Sequence, residues 1–496
     1  MPELEQVRRA QSFGARVAVT SNGHDHSYDS LLSVSEAIAA SLLDRSADLG
    51  EERVAFLIPA SFEYAAVQWG IWRAGGVAVP LSLSAADPEL EHVITDAQVD
   101  RIIVPEDSVE KLRPLCDRLS KPLLTVEQIS SGQSVPLPEL DPQRRAMILY
   151  TSGTTSKPKG VVSTHENIQA QITTLVEAWG WLSEDSIPLF LPLHHIHGIV
   201  NVLSCALWSG GRVDCFESFD AQAILERVAD KEYSVFMGVP TIYVKLIRIL
   251  EDAHDGDRKR YTDGFGQMRL MVSGSAALPA SVHEQWTQLT SQKLLERYGM
   301  TEIGMALSNP LQGERRPGAV GAPLPGVTIR LISEAGELIE GENEPGEIQV
   351  RGPAVFSEYW DKPDVTRESF VDGWFRTGDM AVLEDGYYRI MGRLSVDIIK
   401  SGGYKLSALE IEATLLTHPA ISECAVVALP DDTWGEVVAV AIVSRGGENI
   451  ELPALKEWAT ERMSAYKIPK SLLLLEDLPK NAMGKVPKRA VQDLFD

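Results

Sequence analysis

The sequence predicts an α/β protein: a large N-terminal domain of parallel αβα sheets with a small antiparallel β-barrel, followed by a small α+β C-terminal domain. The first observation is an alternation of short apolar strands with amphipathic helices up to about residue 320. RVAFLIPAS (53–61), FEYAAVQWGIWRAG (62–75) and GGVAVPLSL (75–83) show this alternation. It is typical of βαβ units, in which helices cover both faces of a parallel sheet.

The second and third observations are two changes of pattern further along the chain. GVTIRLIS (326–333), GEIQVRG (346–352) and GYYRIMGR (386–393) alternate apolar and polar residues between glycine-containing turns. This pattern predicts a small antiparallel sheet or barrel. After it, helical segments such as SALEIEATLLTHP (407–419) alternate again with strands, which predicts a compact α+β unit of about a hundred residues, enough for a domain of its own.

The boundary between the two domains is predicted in GRLSVD (392–397). We therefore expect an N-terminal domain of residues 1–393 and a C-terminal domain of residues 396–496. The polar stretch HDGDRKRYTDGFGQ (254–267) has few apolar residues and predicts an exposed loop.

Length and composition limit the classes of protein. A chain of 496 residues is too long for one hydrophobic core, so two or more domains are expected. The net charge of −24, from 46 basic and 70 acidic residues, argues against nucleic acid or an anionic membrane surface as a partner. The four cysteines have no CxxC spacing, which predicts neither a disulfide framework nor a zinc site.

The sequence shows no clear membrane span or signal peptide. No apolar run reaches the roughly 18 residues of a membrane span, and the N-terminus lacks the apolar core of a signal peptide. We therefore expect a cytoplasmic protein without a membrane span, and a processed organellar form stays open as the alternative.

The segment YTSGTTSKPKG (150–160) follows the apolar strand AMILY and is rich in glycines, hydroxyls and lysines. Glycines let a backbone approach an anion, N–H groups and hydroxyls donate to phosphate oxygens, and lysines add positive charge. It is not a Walker A loop, because Pro158 stands where that pattern needs its second glycine. The segment predicts a phosphate-binding loop, and the alternative is a flexible, well-solvated turn.

Three other segments carry polar residues suited to a nucleotide. ERYGMTE ends in Thr301 and Glu302, a hydroxyl and a carboxylate suited to phosphate and Mg²⁺. GWFRTGD ends in Asp379, whose carboxylate could accept two hydrogen bonds from a ribose diol. PKNAMGK places Lys485 in a turn near the C-terminus. Each of these residues, taken singly, could equally be a solvated turn residue.

Taken together and in order, eight segments resemble the adenylate-forming superfamily, which includes acyl-CoA synthetases, adenylation domains and luciferases. The segments are YTSGTTSKPKG (150–160), FMGVPT (236–241), SGSAALP (273–279), YGMTE (298–302), GWFRTGD (373–379), GYYRIMGR (386–393), SGGYKLSALEIE (401–412) and PKNAMGK (479–485). They span nearly the whole chain, which makes agreement by chance very improbable.

The resemblance implies a role for each matching residue. Around the β- and γ-phosphates of ATP it places Thr151, Ser152, Gly153, Thr154, Thr155 and Lys159. It places Thr301 at the α-phosphate and Asp379, with Arg393 beside it, at the ribose hydroxyls. Around adenine it places Gly274, Ser275, Ala276 and Tyr298. Glu302 would bind Mg²⁺, and Lys485 would bridge the substrate carboxylate and the α-phosphate. Ser156 departs from the family, which usually has glycine there, and we expect slower or weaker use of ATP as a result.

The resemblance also implies two reaction steps with coenzyme A as the thiol. A carboxylate and ATP form an acyl-adenylate, and the thiol then displaces AMP. The C-terminal domain of the family is mobile and turns between the steps about a pivot that matches Ser395. This movement withdraws Lys485 and brings in Gly402, Gly403 and Tyr404, which line the pantetheine tunnel.

The acid is predicted from polar residues in the acyl-binding region. LPLHHIHGIVN places His194, His195 and His197 in the pocket wall, and Arg297 and Arg315 lie on either side of the YGMTE segment. Cationic groups there predict a short acid with a second carboxylate. LERYGMTE with MALSNPL, SGGYKLSALEIE and the serine pivot resemble malonyl-CoA synthetases, so we expect an ATP-dependent malonate–CoA ligase.

Several alternatives stay open at this stage. Arg315 could be a solvated surface residue, and Lys245 is a weaker cationic candidate that could simply extend from a helix into water. The acid could be methylmalonate, oxalate or a short monocarboxylate. An adenylation domain that loads a carrier protein, or a non-catalytic binding protein, would be a different class. No carrier protein and no nucleic acid is expected as a partner, because nothing after about residue 490 resembles a carrier domain and the net charge is negative.

Overall fold

The computed structural model describes residues 3–151, 158–401, 404–431, 433–480 and 486–495. The α-helices among them are α1 (Glu5–Ala10), α2 (Tyr28–Leu43), α3 (Phe62–Arg73), α4 (Asp87–Asp96), α5 (Val109–Leu119), α6 (Val126–Ile129), α7 (His165–Trp179), α8 (Cys205–Ser209), α9 (Ala221–Ala229), α10 (Pro240–Asp252), α11 (Asp255–Gly266), α12 (Ala280–Thr290), α13 (Pro363–Glu368), α14 (Ala408–Leu415), α15 (Leu452–Thr460) and α16 (Lys488–Gln492). A π-helix covers His197–Ser204, and 3₁₀ helices cover Glu106–Ser108, Arg445–Gly447 and Ala465–Lys467. None of the helices in the described ranges has the length and apolar composition needed to cross a membrane.

The strands of the described residues belong to five sheets. They are β1 (Val17–Ser21), β2 (His24–Ser27), β3 (Arg53–Phe56), β4 (Val77–Pro80), β5 (Arg101–Val104), β6 (Leu123–Thr125), β7 (Arg145–Thr151), β8 (Lys159–Thr164), β9 (Ser186–Leu189), β10 (Arg212–Cys215), β11 (Val235–Gly238), β12 (Leu270–Ser273), β13 (Leu295–Met300), β14 (Gly304–Ser308), β15 (Ala322–Pro323), β16 (Thr328–Ile332), β17 (Leu338–Ile339), β18 (Gly346–Arg351), β19 (Glu358–Tyr359), β20 (Phe370–Val371), β21 (Trp374–Glu384), β22 (Tyr387–Arg393), β23 (Ile398–Ser401), β24 (Tyr404–Ser407), β25 (Ile421–Asp431), β26 (Gly435–Ser444) and β27 (Ser471–Leu475).

Two layers of mainly parallel strands form the large N-terminal part. One sheet has the order β19-β8-β7-β4-β3-β5-β6, parallel from β7 to β6 and antiparallel at β7–β8 and β8–β19. The other layer contains β2-β1-β10-β9 and β11-β12-β13-β14-β15. These two sheets adjoin, because the Ser234 N–H donates to the Ser186 carbonyl at 3.0 Å, between β11 and β9. Helices α2, α3 and α7 contribute to one apolar core with both layers, which includes Phe56 of β3 and Val213 of β10.

The third part of the N-terminal region is a curled antiparallel half-barrel. Its strands lie in the order β17-β16-β18-β21-β20, with β22 beside β21. Leu331, Ile348 and Phe375 of this sheet share a core with Leu307 of β14 and Val161 of β8. The half-barrel is thereby fixed against both parallel layers, close to the carboxyl end of β13.

The C-terminal sheet has the order β24-β23-β26-β25, with β27 parallel to β26. Helix α14 covers one face, where Ile411 packs with Val426 and Val440. Helix α16 covers the other face, where Val491 packs with Val427. The predicted fold class is confirmed: parallel α/β layers, an antiparallel half-barrel and a small α+β unit follow one another in that order.

One predicted loop is wrong, because residues 255–266 form helix α11 instead. Tyr261 and Phe265 are buried and lie one helical turn apart, so even this polar stretch has a narrow apolar stripe. Gly264 lies against α9, where a Cβ would come within 2.1 Å of the Val228 carbonyl oxygen. Tertiary packing of a few side chains therefore forms this helix, despite its low apolar content.

Candidate active site

The β7–β8 hairpin carries the segment predicted to bind phosphates. Thr151, at the end of β7, pairs with Lys159 at the start of β8. The Lys159 ammonium lies 4.2 Å from the centre of the Tyr359 ring, a cation–π contact. Five predicted residues lie outside the described part of the chain, namely Ser152, Gly153, Thr154, Thr155 and Ser156. Their roles stay predictions.

The turn after β13 carries Thr301 and Glu302. Glu302 is only 5% exposed, and its Oε1 accepts a hydrogen bond from the Tyr359 hydroxyl at 2.9 Å. Burial raises the pKa of Glu302, and the nearby cations Arg393 and Lys159 act against that rise. Tyr359 thus contacts both the lysine of the hairpin and the acid of the turn, which joins the two predicted phosphate segments in one place.

The predicted ribose ligand, Asp379, lies opposite Arg393 on the neighbouring strands β21 and β22. Arg393 Nε donates to Asp379 Oδ1 at 3.1 Å, and the Tyr298 hydroxyl donates to Oδ2 at 2.6 Å. Burial and Asp379 raise the pKa of Tyr298, so this hydroxyl stays protonated and donates a hydrogen bond to Asp379. A carboxylate has about four lone-pair positions, so one on each oxygen stays available for a ribose hydroxyl.

The predicted adenine segment adjoins the predicted acyl pocket. Gly274, Ser275 and Ala276 follow β12, and the π-helix begins at His197. Ser275 has a φ of +69°, uncommon for a residue other than glycine and frequent at functional sites. Its hydroxyl lies 3.2 Å from His197 Nδ1 and 3.5 Å from Arg297 Nη2. Ser275 therefore stands between the segment predicted to bind adenine and the predicted acyl pocket.

Arg297 is a buried cation whose hydrogen-bond donors are only partly satisfied. It is 5% exposed, burial lowers its pKa to about 10, and among the described residues its Nε has no hydrogen-bond partner. Gly274 leaves room for it, because a Cβ at that position would lie 2.4 Å from the guanidinium carbon. An unpaired buried charge costs several kcal/mol, so a site of this kind favours an anionic ligand.

His197 is the second polar group of this pocket. It is 5% exposed, and burial together with the nearby Arg297 lowers its pKa well below the ordinary value. The imidazole is therefore neutral at physiological pH, and among the described residues its Nε2 has no hydrogen-bond partner. A neutral imidazole can bind a carboxylate oxygen through an N–H without adding a second charge to the pocket.

The structure does not bring Arg315 into this pocket. Its Nε, Nη1 and Nη2 donate to the carbonyls of Pro310, Lys293 and Leu311 at 3.2, 2.7 and 2.7 Å. Three of the five N–H donors of this guanidinium are thus held by carbonyls of its own loop and of the segment just before β13. These contacts favour Arg297 over Arg315 as the partner of a second carboxylate, and the role predicted for Arg315 stays a prediction.

The other polar candidates of the acyl region differ in position. His194 and His195 lie in the loop before the π-helix with ring centres 4.1 Å apart, and burial lowers the pKa of His194 to about 4. Lys245 is exposed on α10, and its ammonium lies 5.1 Å from the centre of the Phe219 ring. Lys245 is thus a surface lysine, in agreement with the alternative given for it above.

The C-terminal candidates are only partly within the described residues. Gly402, Gly403 and Lys485 lie outside them. Tyr404 is 54% exposed and stacks on Tyr466, with ring centres 4.4 Å apart and planes 2° apart. Ser395 lies in the exposed turn between β22 and β23, where the Val396 and Asp397 N–H groups donate to the Arg393 carbonyl.

Sequence reasoning missed two residues beside the site. Tyr359 lies in SEYW (357–360), which matches no motif. Its place beside the site is evident only from its contacts with Glu302 and Lys159. Glu296 precedes Arg297 on β13 and is 6% exposed. Burial raises the pKa of Glu296 to about 8, although its Oε1 accepts the Gly318 N–H at 3.0 Å. No sequence signal distinguished this acid from a solvated one.

Glu296 gives a prediction about stability. The folded protein holds its proton up to about pH 8, whereas the unfolded chain releases it near its ordinary pKa of 4.5. Between these values the folded state binds more protons, so stability falls as pH rises, by up to about 1.4 kcal/mol per unit. Glu296→Gln should remove this slope and gain stability over the parent from about pH 5.5 to about pH 7.5. Parallel pH curves of thermal unfolding for the two proteins would contradict the assignment.

Glu302 is the predicted ligand of a magnesium ion. Among the described residues no group of three or more His, Cys, Asp or Glu side chains could hold a metal ion. Mg²⁺ in nucleotide enzymes is typically held by one or two carboxylates and substrate phosphates, with water completing the shell. The single buried carboxylate of Glu302, placed near Lys159, agrees with that arrangement.

An AMP-binding enzyme is the class that this fold and this set of residues define. The chain belongs to the AMP-binding enzyme family: the family's main domain matches residues 7–360 and its C-terminal domain matches residues 410–485. The resemblance to adenylate-forming enzymes is thereby confirmed. The chain is 44% identical over 520 residues to the mitochondrial malonate–CoA ligase of Xenopus laevis, covering 97% of this chain and 90% of that protein. It is 39% identical over 528 residues to the malonate–CoA ligase of Arabidopsis thaliana, covering 96% and 86%.

Solved structures agree with these relatives. The ATP-bound MatB of Rhodopseudomonas palustris has a TM-score of 0.91 and 31% identity, and the match covers 100% of this chain and 99% of that one. A malonyl-CoA ligase with methylmalonyl-CoA and AMP bound has a TM-score of 0.71 and 34% identity, with 96% and 100% covered. The structure of this chain is therefore more similar to the ATP-bound structure than to the product complex.

Proposed function

We propose that the protein joins malonate to coenzyme A with ATP, through malonyl-adenylate, and yields malonyl-CoA, AMP and pyrophosphate. The choice of acid rests on the guanidinium of Arg297, which is buried, has an Nε without a hydrogen-bond partner among the described residues, and lies beside the predicted adenine segment. A second carboxylate would complete the pairing of Arg297, with His197 and Ser275 at its side. Malonate is also the substrate in the names of the relatives from Xenopus laevis and Arabidopsis thaliana.

In the first step, a malonate carboxylate oxygen attacks the α-phosphorus of ATP. The bond from that phosphorus to the bridging oxygen breaks, and pyrophosphate leaves. Lys485 and Lys159 reduce the repulsion between the carboxylate and the triphosphate, and Asp379 fixes the ribose. Glu302 would hold Mg²⁺ together with phosphate oxygens, and the ion would supply further charge neutralisation.

In the second step, the thiolate of coenzyme A attacks the acyl carbon, and AMP leaves with the electron pair of the broken C–O bond. The C-terminal domain turns between the steps in this proposal. Relatives of this chain have been solved with ATP bound and with methylmalonyl-CoA and AMP bound, which agrees with a first step on ATP and a second step that yields a thioester and AMP.

Exposed aromatic rings and a lysine of the C-terminal unit support coenzyme A as the thiol. Tyr404, Trp434 and Tyr466 are 54%, 47% and 41% exposed, and the Lys470 ammonium lies 4.4 Å from the centre of the Trp434 ring. Exposed aromatic rings can stack on an adenine, and a lysine can pair with its phosphates. A local cation is needed to bind phosphates here, because the net charge of −24 repels them.

The pivot gives a second prediction. Ser395→Pro should slow thioester formation more than adenylate formation, because proline fixes φ and restricts the residue before it. Ser395→Ala is the matched control and should behave like the parent. The two half-reactions are measured separately, as pyrophosphate release and as malonyl-CoA formed from supplied malonyl-AMP. Equal rates in Ser395→Pro and the parent for both would place the pivot elsewhere.

Methylmalonate is the second candidate acid, because the related ligase at 34% identity was solved with methylmalonyl-CoA. A pyrophosphate-release assay on malonate, methylmalonate, oxalate and butyrate, with and without coenzyme A, separates the candidates. Malonate should be the preferred acid, and turnover should depend on coenzyme A without any carrier protein. Preference for a monocarboxylate would overturn the proposal.

The compartment stays a proposal as well. We place the protein in the cytoplasm, and the mitochondrial malonate–CoA ligases among the relatives support a processed organellar form as the alternative. Fractionation of cells that express the full chain, followed by detection of the protein, decides between the two.

A further inference from the structure

Helix α4 contacts both described ends of the predicted phosphate loop. Asp96 Oδ2 accepts a hydrogen bond from the Tyr150 hydroxyl at 2.7 Å, immediately before Thr151. His92 Nε2 lies 3.0 Å from the Pro158 carbonyl oxygen, immediately before Lys159. A carbonyl oxygen can only accept, so His92 Nε2 carries the proton and donates.

Asp96 also links the loop to the segment that touches Glu302. Its Oδ1 accepts a hydrogen bond from the Lys362 ammonium at 3.0 Å. Lys362 follows Tyr359 by three residues, and Tyr359 contacts both Glu302 and Lys159. One carboxylate thereby joins the start of the phosphate loop and the segment that orients the predicted magnesium ligand.

The geometry of α4 suits a rigid support. His92 and Asp96 are four residues apart, so both project from one face of the helix. Leu90 and Ile94 of the same helix are buried and belong to the apolar core that contains Ile148 of β7. The ring of His92 also meets the Tyr150 ring edge-on, with centres 6.0 Å apart. Burial and Asp96 raise the pKa of Tyr150, so its hydroxyl stays a donor.

We propose that His92 and Asp96 are positioning residues for the phosphates of ATP. They fix the two ends of the loop relative to each other and to the segment that contacts Glu302. The proposal rests on the proposed function, and it assigns these residues to adenylate formation alone. Thioester formation from a supplied adenylate needs no triphosphate, so loss of the two contacts should leave that step unchanged.

The test uses His92→Phe and Tyr150→Phe in the full chain. His92→Phe keeps the ring contact with Tyr150 but removes the donor, and Tyr150→Phe removes one hydroxyl from an otherwise equal ring. His92→Gln restores an N–H donor and serves as the conservative rescue. Glu91→Gln is the matched control, because Glu91 lies on the same helix in an exposed pair with Arg118 at 2.7 Å.

We expect His92→Phe and Tyr150→Phe each to raise the KM for ATP in pyrophosphate release by about tenfold. Malonyl-CoA formation from supplied malonyl-AMP and the melting temperature should stay close to those of the parent. His92→Gln should recover most of the ATP dependence, and Glu91→Gln should match the parent throughout. An unchanged KM for ATP in His92→Phe and Tyr150→Phe, or an equal loss in both half-reactions, would overturn the proposal. Inactivity of the parent itself with malonate would instead contradict the proposed function.

Discussion

Arg297→Leu should lower kcat/KM for malonate by at least about a hundredfold, which corresponds to about 3 kcal/mol. Arg297 can hold the second carboxylate through two parallel N–H···O bonds, and that carboxylate would otherwise be buried without a partner. The same variant should gain relative activity on butyrate, because the parent must leave its own cation unpaired when an apolar acid binds. The measurement is kcat/KM for both acids on parent and variant.

Two further variants make this prediction specific. Arg297→Lys keeps a charge but not the planar fork, so it should recover only part of the malonate activity. Arg315→Leu removes an arginine of the same segment whose donors bind the carbonyls of Pro310, Lys293 and Leu311. It should cost stability and leave the ratio between malonate and butyrate near the parent value. A change of that ratio in Arg315→Leu but not in Arg297→Leu would reverse the assignment.

Lys485→Ala should abolish adenylate formation and spare thioester formation from supplied malonyl-AMP. A single lysine that bridges the carboxylate and the α-phosphate stabilises charge that develops only in the first step, and its loss should cost about 3–4 kcal/mol there. Lys480→Ala is a nearby control, because Lys480 forms a surface pair with Glu423 at 2.7 Å. Equal loss of both half-reactions in Lys485→Ala would show that the lysine does not serve one step alone.

The sequence could place several residues of the predicted nucleotide site near one another, because they follow strand ends in short, ordered motifs. Asp379 and Tyr298 come from different motifs, and the structure joins them by a hydrogen bond of 2.6 Å. The choice between Arg297 and Arg315 could not be predicted. It depends on whether loop carbonyls occupy the guanidinium, and the path of an irregular loop has no sequence period.

The structure differs from the sequence-based prediction at two other places, helix α11 and Tyr359, and tertiary contacts explain both. Helix α11 forms because Tyr261 and Phe265 reach the core and Gly264 permits a close crossing with α9, although its composition is that of a loop. Tyr359 gains its role only because β19 pairs with β8 and thereby brings its ring to Lys159. Local pattern cannot reveal a partner that lies about two hundred residues away in the chain.

The proposed function requires the pocket to select a short dicarboxylate through a buried cation. The most direct measurement is the ratio of kcat/KM for malonate to that for butyrate, followed as coenzyme A-dependent formation of AMP by the unmodified protein. We predict a ratio of at least about a hundred, since one well-paired carboxylate contributes about 3 kcal/mol. A ratio near or below one would contradict it, because a buried guanidinium that binds the second carboxylate cannot leave the two acids equal.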